Sequence, residues 1–280
     1  MHPPPGPPGA VLRVFSWNLF HGRDAPPDAS LFTLPSRLFR VTRRNDTHVQ
    51  VNRSLFREFA SVISGAEWDV AMLQECPPRW ASRLASACGA EYHRSLTSRN
   101  SFGPLRSLAA AINPDLVGSN EGGSNTTLVR GRIAGRGTLT IATIPERRTA
   151  AITRTADGLL VVNIHASNDR PDQASDEILC AAKAAVAFAG DGPIVFGGDL
   201  NLRPRETSAF ELLCEGYGIA GATTGGTKID HILSRGLVPV EPPRAWPPDA
   251  REVPVGNRLL RISDHAPVSA AFGLVAQNVP

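Results

Sequence analysis

Four short segments each set a carboxylate, amide or imidazole beside the end of an apolar run: Ser16-Trp17-Asn18, Leu73-Gln74-Glu75, Gly198-Asp199-Leu200-Asn201 and Ser263-Asp264-His265. An apolar strand that ends this way delivers a polar head to the rim of a sheet, where the active groups of α/β proteins collect. Glu75 and Asp264, assisted by the Asn18 amide, are hard oxygen donors of the kind Mg2+ accepts, with Mn2+ as an alternative. Zinc would call for more histidine or cysteine. Magnesium held by one or two carboxylates usually works together with substrate phosphate, so a phosphate ester is the expected substrate. Hydrolysis then needs a base for water and donors for the phosphate oxygens. Asp199 can take the proton, and Asn201, two residues on along an extended segment, can hold the water or a phosphate oxygen. His165 and His265 can donate to the phosphate, and a carboxylate such as Asp230 beside His265 would keep that imidazole cationic and oriented.

Taken singly, these residues also have plain structural uses. Asn18 can cap a turn, Glu75 can sit in the first turn of a helix begun by Pro77 and Pro78, and Asp230 can pair with Lys228. His21, just past the first strand, reads equally as a loop histidine or as a group near the site. His2, His48, His93 and His231 read as structural, and Asn125 with Gly122 and Gly123 reads as a turn.

The elements that must position these groups follow from periodicity and punctuation. Val11 to Trp17 predicts a strand running into Asn18, and Gly22 to Asn52 predicts a long connection carrying Arg23, Arg37, Arg40, Arg43 and Arg44. Leu55, Phe59, Val62 and Ile63 recur at helical spacing within Arg53 to Ala66. Val70 to Leu73 is a short strand, and Trp80, Leu84 and Cys88 share one helix face. Leu139–Ile144 and Thr149–Thr153 read as strands, Asp157-Gly158 as a hairpin turn, and Leu159–Ile164 as a strand ending in His165. Asp172–Ala189 reads as a helix stopped by Gly190, and Pro193–Phe196 as a strand ending in Gly197, Gly198 and Asp199. Phe210, Leu213 and Cys214 suggest another helix, Ile229–Leu233 a strand and Ala266–Leu274 the last one. Val238–Pro254, rich in proline, is expected to be irregular, and Gly103–Arg136 gives little signal beyond a loop at Gly122 to Asn125.

A length of 280 residues with 42% hydrophobic and 20% charged residues supports a substantial core and excludes wholesale disorder. Residues 1–10 read as a disordered Pro-rich tail and 11–280 as one domain. The net charge of +3 is too small for a dedicated nucleic-acid coat. Cys76, Cys88, Cys180 and Cys214 form no CxxC pair and are expected as buried free thiols. With no apolar export signal in Met1–Ala10 and no transmembrane-length window, the expected setting is cytoplasmic, and the expected state is a monomer.

The motifs already quoted, with Asn163-Ile164-His165, Ile229-Asp230-His231-Ile232-Leu233 and Ser263-Asp264-His265-Ala266-Pro267-Val268, jointly resemble the endonuclease/exonuclease/phosphatase superfamily, in the family's order from about Val11 to Phe272. The resemblance implies an α/β four-layer sandwich, two mixed β-sheets face to face with helices outside, and a site at one end. It further implies that Asn18, Glu75 and Asp264 match the metal side, Asp199 and Asn201 the water- and phosphate-positioning pair, Asp230 and His265 a hydrogen-bonded dyad, and His165 the first-half histidine. A Mg2+-dependent phosphodiesterase or endonuclease-like hydrolase follows, with phosphate esters, nucleic acid among them, as substrates. A phosphomonoesterase, a lipid phosphodiesterase or a non-catalytic binding module are the alternatives. Thr227-Lys228-Ile229-Asp230-His231 lacks the Trp-Cys-Asp-Arg signature of inositol polyphosphate phosphatases, and His165 stands where abasic-site endonucleases usually carry tyrosine.

Overall fold

The computed structural model describes residues 11–51, 53–97, 104, 108, 112, 123–144, 147–168 and 170–274. The Pro-rich segment 1–10 and Gly122 lie outside them. The strands are β1 Val11–Asn18, β2 Arg43–Arg44, β3 Val49–Gln50, β4 Val70–Gln74, β5 Glu91–Leu96, β6 Ser124–Val129, β7 Ile133–Ala142, β8 Arg148–Thr155, β9 Leu160–His165, β10 Ile194–Asp199, β11 Asp230–Arg235, β12 Leu237–Ala245, β13 Glu252–Val255, β14 Arg258–Arg261 and β15 Val268–Leu274. The helices are α1 Leu34–Leu38, α2 Phe56–Gly65, α3 Ala81–Cys88, α4 Pro171–Ala189 and α5 Ala209–Tyr217.

Two large mixed sheets form, one in the order β12-β15-β1-β4-β6-β5 and the other β11-β10-β9-β8-β7. Alternation along each strand sends successive side chains to opposite faces. In β1, Phe15 and Trp17 face outward and pack with Phe59, Ile63, Trp80 and Leu84 of the α2–α3 layer. In β9 and β10, Leu160, Val162, Ile164, Ile194 and Phe196 pack outward on Ile178, Ala182 and Leu213 of α4 and α5. Val14, Val70, Met72, Val161 and Val195 fill the space between the sheets. The expected four-layer arrangement is therefore present.

Within that inter-sheet layer polarity rises along four strands at once. The inward residues run Val14, Ser16, Asn18 on β1; Val70, Met72, Gln74 on β4; Val161, Asn163, His165 on β9; and Val195, Gly197, Asp199 on β10. β1 and β4 are parallel with Asn18 opposite Gln74, and β9 and β10 are parallel with His165 opposite Asp199. Parallel pairing thus brings the polar ends to the same level.

Two glycines in β10 are required by close packing. A Cβ on Gly197 would lie 2.1 Å from the His231 carbonyl oxygen, and one on Gly198 would lie 2.2 Å from that of Ile164. Gly198 also holds φ at +128°, which side-chain-bearing residues rarely adopt.

Three expectations are corrected. Val238–Pro254 is mostly extended, forming β12 and β13, because β12 is the edge of its sheet and an edge strand tolerates proline. Its register slips between Pro239 and Glu241 and between Glu241 and Arg244. Ser124 and Asn125 lie inside β6 and not in a turn: Ser124 Oγ donates to the Cys76 carbonyl at 2.8 Å, and Asn125 Nδ2 to the Thr149 carbonyl at 2.6 Å, so both buried side chains find a backbone acceptor. Of the cysteines all four are free, but only Cys76 is buried and Cys180 and Cys214 are exposed. The connection after Gly22 is ordered into α1 and the β2–β3 ribbon.

Candidate active site

At the polar end of the inter-sheet layer, Asn18 Nδ2 donates to Asp199 Oδ2 at 2.9 Å and to Glu75 Oε1 at 3.2 Å, joining the two sheets. Asn18 Oδ1 meanwhile accepts from the Phe20 amide at 2.9 Å. The turn-capping use and the site use of Asn18 are therefore both realised. His165 Nε2 stands 3.5 Å from Asp199 Oδ2 and 3.9 Å from Glu75 Oε1. His265 Nδ1 bonds Asp230 Oδ2 at 2.8 Å, and its Nε2 faces Asp199 Oδ2 at 3.8 Å and Asp264 Oδ1 at 4.0 Å. Asn18, Glu75, His165, Asp199, Asp230, Asp264 and His265 thus converge.

Asn201 differs from its expected placement. Its φ of +51° ends the extended run, so it does not follow Asp199 on one strand face. Its side-chain amide donates to the Ala166 carbonyl at 2.9 Å, while its backbone N–H donates to Asp199 Oδ1 at 3.2 Å. Asn201 holds the Asp199 carboxylate and ties the ends of β9 and β10 together.

Left-handed backbone concentrates here. Phe20, His21, Glu75, Asn201 and Ser263 all have positive φ at the strand ends that form the rim; among the described non-glycine residues Arg40 is the other case. Each such residue costs roughly 1–2 kcal/mol, and such strain gathers at functional sites. Ser263 is held by its Oγ, which donates to the Asn18 carbonyl at 2.7 Å, and the His265 N–H in turn donates to that Oγ at 3.1 Å. Trp17 Nε1 donates to the His265 carbonyl at 2.9 Å.

Two groups not assigned from sequence belong to the neighbourhood. His21 is buried with Nε2 3.0 Å from Glu75 Oε2, which settles its two readings in favour of the site. Gln74 Nε2 donates to Asn163 Oδ1 at 2.8 Å and to Ser16 Oγ at 3.3 Å directly beneath it. Gln74 stood on the inner face of β4 one residue before Glu75, and His21 three residues past Asn18, which were the signals open to the sequence.

Electrostatics divide the groups. Burial opposes ionisation of Glu75, but the neighbouring imidazoles, His21 foremost, and the hydrogen bonds from His21 and Asn18 hold its carboxyl well below the usual range. Burial, reinforced by Asp230, pushes Asp199 up to about 7 against the pull of His265 and Asn18. Burial drives His165 down to about 4, only partly offset by Glu75. For His265 burial is outweighed by the hydrogen bond and charge of Asp230, with Asp199 and Asp264 beyond, and its value rises to about 10. The site therefore carries a carboxylate poised near neutrality, a neutral imidazole and an imidazolium.

A sequence profile described as the endonuclease/exonuclease/phosphatase family matches residues 15–265, which span every one of these groups. This chain belongs to the endonuclease/exonuclease/phosphatase family. Members of the family are phosphoesterase hydrolases and generally depend on a divalent metal. No curated protein matches the chain. Solved structures do: truncated TDP2 of Caenorhabditis elegans is 17% identical, with 95% of this chain and 98% of that one covered and a TM-score of 0.57. A family protein of Bacteroides thetaiotaomicron is 14% identical over 95% and 98%, with a TM-score of 0.61. A mannosyl-6-phosphatase of Bacteroides thetaiotaomicron is 15% identical over 92% and 98%, with a TM-score of 0.59. These likenesses establish the shared fold. Among the described residues no helix is long and apolar enough to cross a membrane.

The donor set fits a divalent cation. Glu75 and Asp264 supply carboxylate oxygen, and Asp199, Asp230 and His265 have one ligand atom apiece within 4.8 Å of each other. Asn18, expected on the metal side, instead turns its Oδ1 to the Phe20 N–H and holds Glu75 and Asp199 through Nδ2. Asp230 Oδ1 is buried without a hydrogen-bond partner, an acceptor that a cation would satisfy.

Proposed function

We propose that this chain is a Mg2+- or Mn2+-dependent phosphodiesterase that cleaves by in-line attack of water, with Asp199 as base. The observation that carries the reading is Asp199 itself: 1% exposed, raised to about 7, and faced by Asn18, His165 and His265. A base is most effective with a value near the working pH. Asn201 N–H fixes Oδ1, and Oδ2 faces the site to receive the proton of water as its oxygen bonds phosphorus. The phosphorus bond to the leaving oxygen breaks as that bond forms.

His265 is the donor to the non-bridging oxygens, since Nδ1–H is held by Asp230 and Nε2–H points to the centre. His165 remains neutral and offers Nε2 from the facing side. A divalent cation held by Glu75 and Asp264, with Asn18 positioning Glu75, would neutralise charge on the phosphate and leaving oxygen. Asn18 and Gln74 keep the two sheets in register so that these groups face one centre.

The test is turnover of bis-p-nitrophenyl phosphate, DNA, RNA, a phosphoinositide and a sugar monophosphate, with Mg2+, with Mn2+ and with chelator. Phosphodiester cleavage abolished by chelator is expected, and Asp199→Asn should lower kcat by about 10²–10⁴. Wild-type turnover in Asp199→Ala would overturn the assignment of the base, and cleavage confined to monoesters would overturn the substrate class.

A further inference from the structure

The exposed apolar side chains are not scattered evenly over the surface. Leu34, Leu38, Phe39 and Val41 crowd into one stretch of the connection after β1, with exposures of 64%, 44%, 76% and 51%. Every residue from Leu38 to Arg44 is exposed. Single surface hydrophobics need no account, but a run of them marks an interaction surface. Arg37, Arg40, Arg43 and Arg44 interleave with this run, and no acidic residue falls between Ala29 and Asn45. These four charges exceed the net +3 of the whole chain, so the remainder is close to neutral.

The surface is held in shape from below. Leu34 and Leu38, four residues apart, align along one side of α1, and the buried Ser36 lies on the other. Ser36 Oγ donates to the Thr33 carbonyl at 2.8 Å and to Gln50 Oε1 at 3.3 Å, which anchors α1 on the buried strand β3. The Val41 N–H donates to the Ser36 carbonyl at 2.9 Å across Arg40, whose φ of +55° is the left-handed helix end that usually takes glycine. An arginine is kept there at the cost of strain. The Arg37 guanidinium lies 4.5 Å from the Phe32 ring centre, and Phe32 stands 6.4 Å from Phe20, so the surface adjoins the turn that follows Asn18.

We propose that α1 and β2 dock this face on an anionic phospholipid bilayer, with Leu34, Leu38, Phe39 and Val41 entering the acyl boundary and the arginines meeting headgroup phosphates. A bilayer answers both halves of the surface. A nucleic acid would take the arginines but offers nothing to Leu34, Leu38 and Val41, and a second copy packed symmetrically would set arginine against arginine. The inference goes beyond the hydrolase reading and does not depend on it.

Flotation of the full chain with vesicles tests it. Binding is expected to vesicles of phosphatidylglycerol with phosphatidylcholine, about tenfold weaker to phosphatidylcholine alone, and weaker as salt rises. Arg43→Gln with Arg44→Gln should weaken binding about fivefold for each charge removed. Phe39→Ser with Val41→Ser should weaken it about tenfold. Thermal melts of both pairs should match wild type, since all four side chains are exposed; if one pair melts early, the other still decides. Phe39→Trp should shift its emission to the blue on anionic vesicles. No binding to anionic vesicles, or binding that survives Phe39→Ser with Val41→Ser unchanged, overturns the proposal. Duplex DNA bound through the arginines in place of vesicles would make this a nucleic-acid surface, and self-association lost in Phe39→Ser with Val41→Ser, again without vesicle binding, a contact between copies; either overturns it.

Discussion

Gln74 Nε2 and Asn163 Oδ1 meet at 2.8 Å across the gap between the two sheets, both wholly buried. Asn163 Nδ2 in turn donates to the carbonyls of Thr126 at 3.1 Å and Leu73 at 3.3 Å. The pair fixes the spacing and lateral position of the sheets beside Asn18 on β1 and one inward step before His165 on β9. Asn163→Leu should lower stability by about 1–3 kcal/mol because it strands the Gln74 amide. The double variant Gln74→Met with Asn163→Leu should recover part of that loss, giving a coupling of about 0.5–3 kcal/mol in a double-mutant cycle followed by urea unfolding. Strict additivity of the two changes would show that the sheets are not coupled through this bond.

Asp230 sets the charge of His265. Its hydrogen bond and charge raise the imidazole against burial, to about 10, above the unfolded value of 6.5. The stability from this pair is complete below pH 6.5 and is lost as pH rises through about 10, with a slope of at most about 1.4 kcal/mol per pH unit. In Asp230→Asn the His265 ring should titrate at lower pH by NMR, and the alkaline limb of the rate profile should move toward neutrality. An unchanged ring titration would refute the dyad.

His93 makes the opposite prediction. It is buried on β5, bonded through Nδ1 to Thr153 Oγ1 at 2.9 Å, and burial with a smaller push from Arg136 takes it down to about 4. An imidazole depressed on folding costs stability once the unfolded chain can take up the proton, so its contribution disappears as pH falls from 6.5 to about 4. The stability difference between wild type and His93→Gln should shift in that window by up to about 1.4 kcal/mol per pH unit, measured by thermal melts. A difference that is flat with pH would mean that the ring stays protonated inside.

Gly198→Ala should be more damaging than its size suggests. Its Cβ would meet the Ile164 carbonyl at 2.2 Å and the Gln74 amide at 2.9 Å, at a φ of +128°. β9 and β10 must then separate at the level of His165 and Asp199, and loss of both turnover and folded yield is expected, read by activity and near-ultraviolet circular dichroism. Wild-type behaviour of this variant would contradict the strand spacing.

The fold class and most of the site were legible because the four strands that carry chemistry alternate cleanly and end in polar residues. Val161, Asn163 and His165 read as one inward face before any contact is known. Asn201 was misplaced because left-handed backbone on a non-glycine residue leaves no local mark in sequence. β6 was missed because Ser124-Asn125-Thr126-Thr127 has the composition of a loop, and its burial depends on partners such as Cys76 and Thr149 that are distant in the chain. The tie between His21 and Glu75 likewise depends on two strand ends meeting, which pattern alone does not specify.

The prolines of β12 have a consequence beyond local geometry. Pro239, Pro242 and Pro243 lie on the outermost strand of the sheet that holds Asn18 and Glu75 near its centre. Lacking amide hydrogens, they deny a stray strand from another chain a continuous ladder to extend, as do the register slips beside them. A sheet whose interior must stay polar at one end is thereby shielded at this flank from aggregation.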